Sequence, residues 1–362
     1  MPTTIDADTH IDETEDTWEY MLPSEQAFKP VVGYPSNPDP NRPLPRYWMI
    51  DGERQPRLAR NDERTATTVE ARELLDVKVR LRDMDSLDVQ THVIYPTTFL
   101  IQPTSRPEID LAIKRSYNRW LGDRCAESGG RLRWICLPPV MTMDETLEEL
   151  RWAKDHGAVG VFKKGNDEAG RSVSDPYFQP LWKEANDLEL AVCFHTGSGI
   201  PNSREARAGR ARVPSASLPD AFSAVVMNRL SQQFPKIRWG FIEAASGWVP
   251  HELYKIGRRL KRLPEQAPML TREHLPANFE VQRDTMREFN LFVTCLVDED
   301  LPYILKFVGE DNMVVGSDYT HADQSMERQF QDELRARTER GEITTTAVDK
   351  MLYDNPKRLY GL

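Results

Sequence analysis

Cysteine is scarce in this chain: Cys125, Cys136, Cys193 and Cys295 are the only four in 362 residues, and no two form a CxxC pair. That spacing argues against a disulfide framework or a thiolate zinc site and leaves reduced, buried thiols as the expectation. Long apolar runs are also missing. No stretch approaches the ~20 residues that a membrane-spanning helix needs. The opening "MPTTIDADTH" lacks the apolar core of a secretory signal, so the expected address is cytoplasmic, with no membrane as partner. Positive charge is in deficit, since 47 Lys and Arg against 57 Asp and Glu leave a net charge of −10. Such a balance disfavours nucleic acid or an anionic membrane as a partner. No GxGxxG turn follows an apolar run, which removes support for a dinucleotide-binding open sheet.

What is present is a rhythm. Amphipathic stretches such as "VEARELLDVKVRLRDMDSL" and "TMDETLEELRWAKDHG" alternate with short β-branched runs such as "QTHVIYP", "AVGVFKK" and "LAVCFHT". The runs are continuously apolar, as in strands covered on both faces. Eight of them are found, near 4–8, 90–95, 133–138, 158–163, 190–195, 237–243, 290–295 and 313–317. Strand–helix repetition predicts a parallel sheet with right-handed crossovers, and eight units predict an α/β fold of the (β/α)8 barrel type spanning 1–362 as one domain. Residues 12–70 break the rhythm with Pro, Asp, Arg and aromatics, too long for an ordinary loop. Since they follow strand 1, they are expected to form a lid over the C-terminal mouth. A second irregular run, 199–214, carries four arginines and reads equally as an anion clamp or a solvated loop.

In such a barrel, chemistry sits where strands end. Strand 1 ends in "DADTHIDE", with Asp8 and His10 on one side of an extended segment. Strand 4 ends in Lys163 and Lys164, strand 5 in His195, strand 6 in Glu243, and strand 8 in Asp318 with His321 behind it. Carboxylates gathered without a cation would repel one another and take up protons, so the set predicts a metal site suited to zinc, iron or manganese. Singly, each residue has a duller use: Asp318 as a helix cap, Glu243 as an arginine partner, either histidine as hydrogen-bonded structure. His92, His156, His251 and His274 fall at strand starts or on helices and read as structural. Lys163 and Lys164 stay open between a carboxylated bridging lysine, an anion contact and plain surface.

The motifs "IDADTHIDE", "RLRDMDSLDVQTHVIYP", "YNRWLGD", "AVCFHTGSG", "FIEAASGWVP", "VVGSDYTHAD" and "NPKRLYGL" resemble the amidohydrolase-related branch of the amidohydrolase superfamily. That branch includes aminocarboxymuconate-semialdehyde decarboxylase and γ-resorcylate decarboxylase. The resemblance implies a metal-bearing barrel, often paired as a homodimer, in which Asp8 and His10 stand for the strand-1 ligands, His195 for the strand-5 ligand and Asp318 for the strand-8 aspartate. Two departures matter. The strand-1 pair is Asp-x-His instead of His-x-His or Glu-x-His, and Glu243 stands where the decarboxylases carry an acid/base histidine. With Asp8, His10, His195 and Asp318 holding one ion, Glu243, His321 and Glu13 remain for a second. The carboxylate-rich pattern is similar to an offshoot of this barrel, the non-haem diiron monooxygenase of platensimycin and platencin biosynthesis.

Two functions follow as expectations. The first, favoured by the donor set, is an oxygenase with two irons held by Asp8, His10, His195, Glu243, Asp318 and His321, supplied by an external electron donor. Glu243, Asp318 and His321 would take part in its catalysis, and Tyr95, Phe99, Trp248 and Tyr319 would line a site for a hydrophobic acyl or terpenoid small molecule. Arginines between 203 and 212 could hold a carboxylate or a coenzyme A phosphate. The second is a hydrolase or decarboxylase with one zinc or manganese ion, a small carboxylated substrate and Asp318 as proton acceptor.

Overall fold

A computed structural model of the chain describes residues 4–34, 36, 46–56, 65–165, 171–197, 217–262, 269–321 and 325–362. The eight apolar runs form eight parallel strands: β1 (Thr4–His10), β5 (Val89–Tyr95), β6 (Leu132–Cys136), β7 (Ala158–Lys164), β8 (Ala191–His195), β9 (Trp239–Ile242), β10 (Leu291–Cys295) and β11 (Met313–Val315). Their spatial order is their chain order, β1-β5-β6-β7-β8-β9-β10-β11. β1 and β7 are buried at every position, polar residues included, as expected of strands covered on both faces. Helices follow the strands, among them Pro107–Ala126 after β5, Met143–Asp155 after β6 and Val249–Arg262 after β9. Aromatic rings fill the layer between sheet and helices. Trp239 meets Trp182 at 5.5 Å and stacks with Phe194 at 6.2 Å, and Phe222 meets Phe241 edge-on.

The last strand returns to the first. Thr9 and Tyr319 form a parallel bridge. The Asp318 amide donates to the Asp8 carbonyl at 3.1 Å and the His10 amide to the Tyr319 carbonyl at 2.8 Å. Deeper in the seam, Asp6 accepts from the Ser317 amide at 2.9 Å and its hydroxyl at 2.5 Å. Gly316 explains how close the seam is: a Cβ there would collide with the Asp8 Cβ and lie 2.9 Å from the Asp8 nitrogen. Closing the sheet removes its edges and brings the ends of β1 and β11 side by side.

Parts of the 12–70 insertion fold as two 3-10 turns, Glu15–Trp18 and Pro23–Phe28, and an antiparallel sheet of β2 (Val31–Gly33), β3 (Tyr47–Ile50) and β4 (Glu53–Pro56). Its aromatics divide, with Tyr20 and Tyr34 exposed and the two tryptophans turned inward. Trp18 and Trp48 are fully buried and meet edge-on at 5.5 Å, and Trp18 also meets Phe99. The insertion grips the loop that leaves β5, with Gln55 Nε2 donating to the Pro103 carbonyl at 3.0 Å and Thr104 Oγ1 donating to Asp51 at 2.7 Å. All four cysteines are free and buried. Among the described residues no helix is long and apolar enough to cross a membrane.

Candidate metal centre

Four strands deliver to one mouth six side chains that could hold a metal. Asp8, His10, His195 and Glu243 present ligand atoms that all lie within 4.8 Å of one another, and so do His10, Glu243, Asp318 and His321. Asp8 Oδ1 lies 3.4 Å from both His10 Nε2 and His195 Nε2. Asp318 Oδ1 lies 3.4 Å from His10 Nε2 and 2.8 Å from His321 Nδ1, while Glu243 Oε2 lies 3.4 Å from His195 Nδ1. The His10 and His321 rings stack at 3.8 Å.

Each imidazole is steered from behind. His10 Nδ1 is 2.8 Å from the Pro96 carbonyl and His195 Nδ1 is 3.0 Å from the Thr196 carbonyl. A carbonyl only accepts, so both Nδ1 atoms carry hydrogen and both Nε2 atoms face the carboxylates. His321 is turned the other way: its Nε2 meets Thr97 Oγ1 at 3.1 Å, leaving Nδ1 toward Asp318. Outer hydrogen bonds of this kind orient metal ligands. The donor chemistry fits a divalent ion, because His10 Nε2 is buried with no hydrogen-bond partner among the described residues and imidazole with carboxylate suits manganese, iron or zinc.

Electrostatics in the mouth follow from burial and pairing. Burial pushes Asp8 up, but His195 and His10 outweigh it and hold the carboxyl at about 2. Burial pushes His195 down, and Asp8 and Glu243 reverse this to about 8. His10 is lowered, chiefly by burial. Below them, burial raises Asp6 to about 7 against the Ser317 hydrogen bonds.

Glu13 does not join the donor groups. Its carboxylate accepts from the Thr97 amide at 3.0 Å, the Thr98 amide at 2.9 Å and the Thr98 hydroxyl at 2.7 Å. It therefore braces the loop whose Thr97 orients His321, a correction to its expected place at a second ion. The two lysines part company. Lys163 is the register partner of Phe194 and its Nζ lies over the Phe178 ring at 4.9 Å, in the helix layer. Lys164 pairs with His195 and its Nζ reaches Gln102 Oε1 at 3.3 Å.

The four aromatic candidates also divide. The Tyr95 ring lies 4.8 Å from His195 and 6.2 Å from His10, with its hydroxyl 2.9 Å from that of Tyr360. Phe99 packs between Trp18 and Tyr117, and Trp248 against Phe222 and Phe241. Tyr319 lies under the Arg80 guanidinium and donates to Asp83 at 2.5 Å. Its neighbour Asp318 takes the mouth side, and Tyr319 is committed to packing against the helix Val77–Ser86. The arginine-rich run 199–214 lies outside the described residues.

Sequence reasoning passed over Arg80, which is fully buried. Its Nη1 donates to the His10 carbonyl at 2.7 Å, its Nη2 to Thr9 Oγ1 at 3.0 Å and its Nε to His92 Nδ1 at 3.3 Å. The available signal was an arginine on the Val77, Met84 face of an amphipathic helix, where charge rarely sits without a task. Glu243 and Asp318 have φ of 56° and 53°. Side chains of this size seldom adopt that left-handed region, and it costs about 1–3 kcal/mol each.

The amidohydrolase family profile matches residues 5–362. The chain belongs to the amidohydrolase family. Over 257 residues it is 21% identical to a 2-amino-3-carboxymuconate-6-semialdehyde decarboxylase of Dictyostelium discoideum, covering 67% of this chain and 66% of that protein. Over 137 residues it is 28% identical to a gamma-resorcylate decarboxylase of Rhizobium sp. (strain MTP-10005), covering 35% of this chain and 41% of the relative. It thus spans slightly under two thirds of the first relative's length and less of the second's. An amidohydrolase structure from Mycobacterium avium subsp. paratuberculosis K-10 superposes with a TM-score of 0.76 at 18% identity, covering 100% of this amidohydrolase and 98% of that chain. A dihydroxybenzoic acid decarboxylase of Polaromonas sp. JS666, solved with manganese and 2-nitroresorcinol bound, gives a TM-score of 0.64 at 15% identity, covering 100% and 98%. At these identities the two structures support the barrel fold.

Proposed function

We propose that this amidohydrolase is a metal-dependent carboxy-lyase that removes CO2 from a small carboxylated, conjugated substrate. The observation that carries the reading is that His10 Nε2, buried and unbonded among the described residues, lies 3.4 Å from both Asp8 Oδ1 and Asp318 Oδ1, with His195 Nε2 a further 3.4 Å from Asp8 Oδ1. The names of the relatives tip the balance away from the oxygenase expected from the donor count. Those four residues would hold one divalent ion, manganese or zinc. When bound, the ion supplies Lewis-acid polarisation of substrate oxygens.

The chain's own groups do the rest. Loss of CO2 breaks a C–C bond and leaves its electron pair on carbon, which must then take a proton. Glu243 and His321 face the cluster from either side, and a carboxyl or imidazole placed there can deliver that proton. The Thr97 and Glu13 contacts hold His321 in place, and Gln55 and Asp51 of the insertion fasten the loop that leaves β5.

One observation keeps a second reading in play. His10 and Glu243 belong to both donor groups, so six residues could hold two ions, the arrangement expected of a diiron oxygenase. The experiment is to purify the protein without chelator, count metals, and follow CO2 release from 2,6-dihydroxybenzoate, 5-carboxyvanillate and carboxymuconate semialdehydes. The carboxy-lyase reading expects one manganese or zinc per chain and CO2 release from at least one acid. Two irons per chain with substrate-dependent oxygen uptake and no CO2 would replace it with the oxygenase.

A further inference from the structure

Lys164 is 2% exposed. As the register partner of His195 in a parallel pair, it projects to the same face of the sheet, toward the mouth. Its position is built from outside the strand. Gln102 Nε2 is committed to the Thr104 carbonyl at 2.9 Å and to Asp110 Oδ1 at 3.0 Å, which fixes the amide so that its oxygen faces the lysine at 3.3 Å. Asp110 is matched in turn by Lys114 at 3.1 Å. The loop carrying Gln102 is held close to the exit of β8, since a Cβ on Gly197 would collide with the Leu100 carbonyl. The insertion fastens the same loop through Gln55 and Asp51.

Charge gives this lysine a task. Asp8, Glu243 and Asp318 bring three carboxylates to the cluster. One divalent ion leaves one negative charge over, and an anionic substrate approaching that excess is repelled through a low-dielectric mouth. An ammonium on the same face offsets the repulsion and binds the incoming carboxylate as a point charge. The buried arginines beside strand 1 serve other groups: Arg80 donates to the His10 carbonyl at 2.7 Å and to Thr9 Oγ1 at 3.0 Å, and Arg72 is engaged with Asp12 at 3.4 Å and with the Thr67 carbonyl at 3.3 Å.

We infer that Lys164, presented by Gln102 beside His195, binds the carboxylate of the substrate and selects anions over neutral compounds of the same shape. The inference rests on the carboxy-lyase reading for its substrate class. It is tested on manganese-loaded protein by calorimetric titration with benzoate, 2,6-dihydroxybenzoate and cis,cis-muconate, each against its neutral carboxamide. Wild-type protein should bind at least one acid about tenfold more tightly than its amide, the scale of a charge-assisted hydrogen bond. Lys164→Met should abolish that preference with manganese per chain and melting temperature unchanged, and Lys164→Arg should keep part of it. Lys164→Gln, uncharged but polar, serves where the Met variant does not fold, and should also lose the preference.

A preference that survives in Lys164→Gln overturns the inference, as does a wild type with no preference for acids. Loss of manganese on substitution also overturns it, because Lys164 is then a metal ligand. The two readings fail separately. CO2 release with an unchanged acid preference in the variants sinks only the lysine's role. An acid preference that depends on Lys164, without CO2 release from any acid, sinks only the carboxy-lyase.

Discussion

Glu243 concentrates the chemical question in one side chain. It sits at the end of β9 at a φ of 56°, and its amide donates to Thr294 Oγ1 at 2.8 Å, which pins the backbone in that conformation. Its carboxylate meets His195 on one side and accepts from Ser325 Oγ at 3.2 Å on the other. Beside one ion held by Asp8, His10, His195 and Asp318, it is free of ligand duty and can move a proton. Between two ions it is a bridge. Glu243→Gln keeps size and hydrogen bonding and removes the charge, so the one-ion reading expects metal content to stay at one per chain while turnover falls by about 10²–10⁴. The bridging reading expects Glu243→Ala to lose about half the metal. Metal analysis of both variants beside their rates separates the two.

The helix Val77–Ser86 shows how an element outside the mouth sets its geometry. Asp76 caps it, accepting from the Lys78 amide at 2.9 Å, and Val77, Arg80 and Met84 form its buried face. Arg80 uses that face to reach the carbonyl of a proposed metal ligand, His10, and to cover Tyr319, the residue after another. Arg80→Lys keeps the charge but loses the fork that serves Thr9, His10 and His92 together. It is expected to weaken manganese binding on the order of tenfold, as loss of outer-shell orientation does. Arg80→Met should also lower stability by roughly 1–3 kcal/mol for each buried acceptor left unmet. Manganese titration followed by denaturant unfolding measures both, and full manganese affinity in Arg80→Lys would remove the helix from the account.

Elements were legible in the sequence where one period dominated. All eight barrel strands were readable to within about two or three residues, because runs buried on both faces stay apolar until the site begins. The insertion was readable as an interruption but not as β2, β3 and β4, whose short strands mix Pro, Arg and Glu with a few apolar residues.

For the whole molecule, the clustering of the six candidate ligands was legible because a (β/α)8 barrel brings strand ends together, so chain position stood in for distance. What surrounds them was not. Glu13, Thr97, Arg80 and Gln102 act through hydrogen bonds between loops, and no periodicity encodes such contacts. The same closed mouth ties metal binding to folding and to pH. Asp8 stays ionised above about 2 and burial keeps His10 neutral, so His195, at about 8, is the one of these three that holds a proton at neutrality. That proton stabilises the metal-free fold at acid pH, since a histidine raised above its unfolded value contributes fully below about 6.5 and loses the contribution as pH rises through 8. A cation at His195 Nε2 must displace the same proton. Its affinity should therefore climb about tenfold per pH unit from 6 to 8 and level off above. Bound metal stabilises by about 2.7 kcal/mol at a free concentration a hundred times Kd, and each unit of acidification removes about 1.4 kcal/mol of that. Thermal unfolding with and without excess manganese, at pH 6 and pH 8, should give the larger metal-induced rise in Tm at pH 8, although the metal-free protein is the less stable there on this contribution. An equal rise at both values would mean that His195 gives up no proton to the cation and is not its ligand.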